Sequence, residues 1–300
     1  MSVSDSEAAV PRLMLRIVSE PVWRKPDAGY PAMRVVGVGA AGSRMLHTLH
    51  RSGVEGDVKF IEANIVDHLE PNRSQEYQAT TCNAPSSAFE GADLVIMLAG
   101  AREHLALRAV AALSMEARRE GVLVMAMIAP TSAGGKETSD IMPGVADHID
   151  VLIVLSPTLR TATPSRMPDA FVCATVDGLS EGFQATASVS GDFSAVRSVL
   201  ANAGNAYIGI GIAKGEGRAA RAVLVAVADI GADALRQADG ILVLIAGSRS
   251  LCPNEIDEVR HAIQPLSAAS AVAAFGAHWD ERIGDMVRVT VIATRHLPPR

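Results

Sequence analysis

Short, almost continuously apolar runs alternate with helix-patterned segments along the first half of the chain, and that rhythm restricts the folds open to it. MRVVGVG at Met33, DVKFIEAN at Asp57, ADLVIMLAG at Ala92, the run Val122 to Ile128 and DVLIVLSP at Asp150 read as buried strands. Arg44 to Arg51 and Arg102 to Glu120 read as helices between them. Strands buried on both faces and joined through helices predict an α/β fold built on a doubly wound parallel sheet.

From Asp169 the pattern changes. A helical segment runs on through SVSGDFSAVRSVLANAG, and strands Gly240 to Ala246 and Val287 to Thr294 bracket a helix from Asn254 to Gln264. A second, mixed α/β domain is expected there. Residues 1–32 carry Pro11, Pro21, Pro26 and Pro31 without a sustained period, so they read as a mobile or loosely docked arm. The expected divisions are residues 1–32, 33–168, 169–198 and 199–300.

Composition narrows the function. The 300 residues are 49% hydrophobic, enough for a large core. A net charge of −6 with no basic cluster argues against nucleic acid as a partner. Cys82, Cys173 and Cys252 are far apart and odd in number, which suits a reducing cytoplasm better than a disulfide framework. No apolar run is long enough for direct membrane insertion. The histidines follow no metal-ligand spacing; His47 and His50 share a helix three apart and read as a surface face, so no metal site is expected.

Gly37, Gly39 and Gly42 form G-x-G-x-x-G where a strand meets a helix, a pattern that brings backbone amides and a positive helix end to a phosphate. Glu62, near the end of the following strand, stands where a dinucleotide-binding fold places its ribose-binding acid, so NAD is one reading of this turn. Close packing of helix on strand is another use for the same glycines.

Three C-terminal stretches point to a particular family. GIGIAKGEGRAARAV at Gly209, GILVLIAGSRSLCPNEIDEV at Gly240 and FGAHWDERIGDMVRVTVIAT at Phe275 run in register with, and resemble, the C-terminal half of FtsZ, the tubulin-like family of bacterial cell-division proteins. The resemblance implies a Rossmann-like nucleotide domain followed by the second α/β domain. It also implies guanine nucleotide at the glycine turn. Here the family's GVGGAGGN reads GVGAAGSR, with Arg44 in place of a nucleotide-binding Asn. The family's ANTD reads Ala63, Asn64, Ile65, Val66.

The phosphate loop GGGTGTG is replaced, without a gap, by Arg102, Glu103, His104, Leu105, Ala106, Leu107 and Arg108. Only glycines let consecutive amides wrap a phosphate. The replacing residues favour a helix beginning near Ala101, whose side chains would fill the triphosphate space and place the charge of Glu103 beside it. Arg102, His104 and Arg108 are the cations that remain to clamp an anion.

The sugar and base contacts fall on Gly134 and Thr138, and DAFxxAN becomes DAFVCAT, keeping Phe171 as a stacking or core residue and putting Thr175 where Asn would read guanine. The loop that completes a neighbour's hydrolytic site keeps Asp192 and Phe193, but its second acid is Ala195. Asp192 is the catalytic candidate this leaves, and it suits a helix cap equally well.

What the resemblance implies is therefore a divergent member with a degenerate GTP site. No cofactor is expected, or GTP at reduced affinity, with Gly37, Gly39, Gly42, Arg44, Asn64, Arg102 and Phe171 as its contacts. The expected partners are a second copy of this chain or an FtsZ-type protein. The chain ends soon after its last strand, so no peptide for binding membrane tethers is expected. The alternative is a working, polymerising GTPase.

Overall fold

A computed structural model describes residues 13–19, 30–65, 88–129, 145–155, 167–183 and 193–295. Its strands are β1 (Leu13–Ser19), β2 (Met33–Val38), β3 (Val58–Ile65), β4 (Leu94–Gly100), β5 (Leu123–Ala129), β6 (Val151–Val154), β7 (Gly204–Lys214), β8 (Gly240–Gly247), β9 (Val272–Trp279) and β10 (Met286–Thr294). Its helices are α1 (Gly39–Ser52), α2 (His104–Arg119), α3 (Met167–Gly182), α4 (Phe193–Leu200), α5 (Arg218–Ile230), α6 (Ala232–Arg236) and α7 (Pro253–Ile263).

Among the described residues the strands join in a single sheet of order β1-β3-β2-β4-β5-β6-β7-β10-β8-β9. The run from β3 to β7 is parallel, as buried strands joined by helices require. β10 then lies antiparallel between β7 and β8, which gives the second half its mixed character.

Alternate residues of each strand feed opposite faces. Met33 and Val35 of β2 join a core with Met45, Leu46 and Leu49 of α1 and with Phe171 and Leu179 of α3. Val36 and Val38 face Ala106, Val110 and Leu113 of α2 on the other side. The sheet is thus covered on both faces, the doubly wound arrangement that the apolar runs predict. α3 packs against β8 and β9 as well as α1, so one apolar layer includes Leu94 in the first half and Leu242, Leu244 and Ile292 in the second. A third core gathers α5 and α7 over the outer face of β8 and β10.

One expectation is corrected here. Residues 13–19 do not belong to a loose arm: they pair antiparallel with β3 from Leu13 opposite Ile65 to Ser19 opposite Phe60, and Leu15 is buried. The sequence hides this because LMLRIVS lacks strict alternation and sits among prolines; pairing to an existing edge, not local pattern, makes it a strand.

Candidate functional site: the glycine turn

β2 lies between β3 and β4, so the connections leaving its end and that of β4 emerge side by side at a point where strand order reverses. Open α/β sheets bind ligands in the crevice at such a point. α1 rises directly from β2 and α2 follows β4, which brings two helix N-termini to one crevice. Neither helix carries an acid in its first turn, and neither has a side-chain cap. Two uncompensated positive ends therefore share a small space.

Glu103, the residue just before α2, fills it. Its Oε2 accepts from the Ala40 amide at 2.8 Å and its Oε1 from the Ala41 amide at 2.9 Å. The side chain thus serves the first turn of α1, while its backbone carbonyl accepts from Leu107 at 2.9 Å to begin α2.

The three glycines divide between two tasks. A Cβ on Gly37 would come 2.8 Å from the Gly42 carbonyl oxygen and 2.9 Å from Leu46 Cβ. One on Gly42 would strike the Leu98 carbonyl oxygen and lie 3.0 Å from its carbon. Gly37 lets α1 press on β2, and Gly42 lets it press on β4. Gly39 differs: its φ of +70° turns the chain from strand into helix, and any Cβ would collide with Glu103 Oε2.

α2 begins at His104, three residues later than Ala101, because Ala101 is still held to β5 through the Ala129 carbonyl at 2.9 Å and Glu103 donates to Gly100 at 3.2 Å. That short turn is what aims Glu103 back at α1. In this arrangement the residues do not fit the phosphate of a guanine nucleotide, since both leading amides of α1 are occupied by the chain's own carboxylate.

The remaining candidates are dispersed. Arg44, Asn64 and Arg102 are exposed. Phe171 is 1% exposed inside the core that includes α1 and α3, a packing position. Thr175 is buried, and its hydroxyl has no hydrogen-bond partner among the described residues. Glu62 lies 3.6 Å from His47 Nε2 and is paired across the β1–β3 ladder with Arg16, so the acid of the NAD reading has neighbours of its own. His50 packs edge-on against Phe60 with ring centroids 5.4 Å apart. Asp192, Gly134 and Thr138 lie outside the described residues, as does residue 66 of the ANTD-like segment; Ala195 is half-buried at the start of α4.

A second charged constellation escapes sequence reasoning. Arg282, in the turn between β9 and β10, donates to Asp280 Oδ1 at 2.7 Å, Asp177 Oδ2 of α3 at 2.9 Å and the Ser52 carbonyl at the end of α1 at 2.6 Å. Arg288 stands 3.4 Å from Asp280 and 3.7 Å from Asp177. Burial raises the Asp177 carboxyl above its usual range against the pull of both arginines. Asp280 also feels burial, but hydrogen bonding and charge from Arg282 prevail and hold it low. Buried His278 is driven down to about 3, first by burial and then by Arg288. The one signal in the sequence is the charged triplet Asp280, Glu281, Arg282 set between two apolar strands.

α1 is therefore held at both ends, by Glu103 at its start and Arg282 at its finish. Among the described residues no helix is long and apolar enough to cross a membrane.

Residues 204–296 match the model of the FtsZ family, C-terminal domain. The chain is 28% identical to the cell division protein FtsZ of Buchnera aphidicola subsp. Schizaphis graminum over 317 residues, spanning 92% of this chain and 81% of the relative. An FtsZ mutant from M. jannaschii superposes with a TM-score of 0.73 at 22% identity, over 88% of this chain and 91% of that one. A structure described as an empty FtsZ dimer from the same organism gives 0.70 at 21% identity, over 88% of each chain.

Proposed function

We propose, from the premise that this chain belongs to the tubulin/FtsZ superfamily, that it is a cell-division cytoskeletal protein that works by association and has given up nucleotide turnover. The observation that supports this reading is the Glu103 carboxylate on the Ala40 and Ala41 amides. Phosphoryl transfer rests on amides, cation and water placed around the reacting phosphate. An internal carboxylate at the leading amides opposes a second anion there by charge and by volume.

The segment assigned to association is the one around Ala195 at the start of α4, which the resemblance places against the next subunit. With Ala195 in place of the second acid, a neighbour's nucleotide would meet an incomplete partner. The effect on a polymer would be to cap it or slow its turnover. A relative solved as an empty dimer is compatible with contacts of this kind.

The test is calorimetric titration of GTP, GDP and NAD with magnesium into the full chain, with co-sedimentation on FtsZ polymers in parallel. The reading expects no heat from any nucleotide and a change in polymer mass or turnover. Micromolar GTP binding would overturn the loss of nucleotide. A protein that stays in the supernatant and leaves turnover unchanged would remove the polymer role.

A further inference from the structure

The sheet ends in β1 on one side and β9 on the other, and the two edges are built differently. A sheet edge offers a row of unpaired amides and carbonyls, and chains that stay apart blunt it with charge, proline or a bulge. β1 carries Arg16 and shifts register between Ile17 and Ser19. β9 has none of these devices. Its sequence, VAAFGAHW, contains no Lys, Arg, Asp, Glu or proline, and it keeps register with β8 from Val272 opposite Gly240 to Trp279 opposite Gly247. Among the described residues no strand pairs with its other side.

The direction of the free groups follows from the pairing with β8. The Val272 amide donates to the Asp239 carbonyl at 2.9 Å and the Asp280 amide to the Gly247 carbonyl at 2.8 Å. Even-numbered residues therefore turn their backbone groups toward β8, and Ala273, Phe275, Ala277 and Trp279 turn theirs outward. Ala274 and His278 are buried, with α3 and α4 packed against the strand. Its two ends are apolar and uncovered: Val272 is 49% exposed and Trp279 67%.

We propose that β9 is a self-pairing edge: two copies of this chain join antiparallel about a two-fold axis at Gly276, and one sheet runs through both. Three observations select a second copy as the occupant. The first is charge. The strand carries none, so pairing with itself opposes no like charges, whereas a charged peptide would find no counter-charge in it. The second is size. With Gly276 facing Gly276, each Trp279 lies opposite an Ala273 and each Phe275 opposite an Ala277, so every large ring meets an alanine. The third is hydrogen bonding. Those same pairs are the residues whose amides and carbonyls point outward, so the register that matches sizes also satisfies the edge. A two-fold makes each contact twice, as closed dimers do. The pairing asks nothing of the glycine turn and stands whether or not the chain binds nucleotide.

The experiment is sedimentation equilibrium of the full chain over a range of concentrations, without nucleotide, with amide hydrogen exchange at both ends of the range. Wild type is expected to dimerise, with exchange at Phe275 and Ala277 slowing as the dimer forms. Ala277→Pro removes an outward N–H and leaves the bonds to β8 intact, a placement that an edge strand tolerates. The two-fold counts that loss twice, so the dissociation constant is expected to rise about tenfold or more. Ala273→Glu, at an exposed position, sets a carboxylate against the opposing Trp279 and is expected to weaken the dimer likewise, even if the proline variant fails to fold. Met14→Lys on β1 is the control and leaves the dimer unchanged. A chain that stays monomeric at every concentration overturns the proposal. So does an assembly that the folded β9 variants leave intact, or a dimer whose β9 amides exchange at the monomer's rate.

Discussion

Gly42→Ala tests whether this glycine is frame or ligand contact, and the structure sets its cost. The new methyl would strike the Leu98 carbonyl oxygen and lie 3.0 Å from its carbon and 3.2 Å from the Gly37 carbon. All three are backbone atoms, so no rotamer change relieves the clash. The Leu98 carbonyl oxygen is the nearest of them and sets the shift, so α1 must withdraw from β4 by about an ångström. A gap of that size forfeits about a quarter to a half of each lost contact. The side chains that lose it are Met45, Leu46 and Leu49, which α1 buries against the sheet. Strain plus loosened packing comes to about 3 kcal/mol, or a fall in thermal midpoint of roughly 6 °C or more. Gly53→Ala is the control: its φ of +75° makes the backbone strained, but nothing lies near the new Cβ, so about 1 kcal/mol is expected. Urea unfolding followed by circular dichroism measures both. If Gly42→Ala costs no more than Gly53→Ala, close packing of α1 does not explain the glycine.

Arg282→Ala removes the link between α1, α3 and the β9–β10 turn, and leaves Asp177 and Asp280 to Arg288 alone. Breaking a buried ion pair costs up to 5 kcal/mol, but half-exposure of the guanidinium and the second arginine reduce this to about 2–3 kcal/mol; an unchanged urea midpoint would refute the clamp. The same cluster should shape stability against pH. Burial, then Asp177 and Glu55, push Glu181 up to about 7 from an ordinary 4.5, so its contribution is full below 4.5 and is lost as pH rises through 7. His278, lowered from 6.5 to about 3, contributes stability that is present above 6.5 and lost as pH falls toward 3. The two slopes oppose each other between 4.5 and 6.5. Glu181→Gln is therefore expected to lose stability more steeply than wild type as pH drops through that window, and His278→Gln less steeply; stability curves of unchanged slope would contradict the assignment.

The frame was legible because it is written in contiguous residues. β2 to β6, β8 and β10 are apolar runs, α1 and α2 are helix patterns among them, and β10 lies within a residue of its expected start, whereas β7 and β9 do not stand out by pattern. What escaped reading depends on partners far apart in the chain. β1 is a strand because β3 offers it an edge. Arg282 matters because β9 and β10 deliver it to α1 and α3, residues it meets across more than a hundred positions of sequence. Glu103 lies between these cases. Its charge and its place after β4 are visible in the sequence, but the choice between capping α2 and reaching α1 is settled by a turn whose length the sequence misjudges by three residues.

Under the function proposed above, that turn is how a site would lose a ligand without losing its shape. An anion-binding helix start is unstable when left empty, because its amides face inward with no acceptor. A chain that stops binding the ligand must repack the crevice, expose it to water or supply an anion of its own. The first course would disturb the close approach of α1 to β2 at Gly37 and to β4 at Gly42, on which its placement depends. Supplying an acid from the adjacent strand's connection keeps that contact and satisfies the same two donors. Arg282 holds the other end of α1 through the Ser52 carbonyl, so both ends of the helix are fixed by groups of the chain itself. A frame kept in one arrangement by internal groups is suited to presenting a constant surface to a partner, and this is the physical content of the proposed role by association.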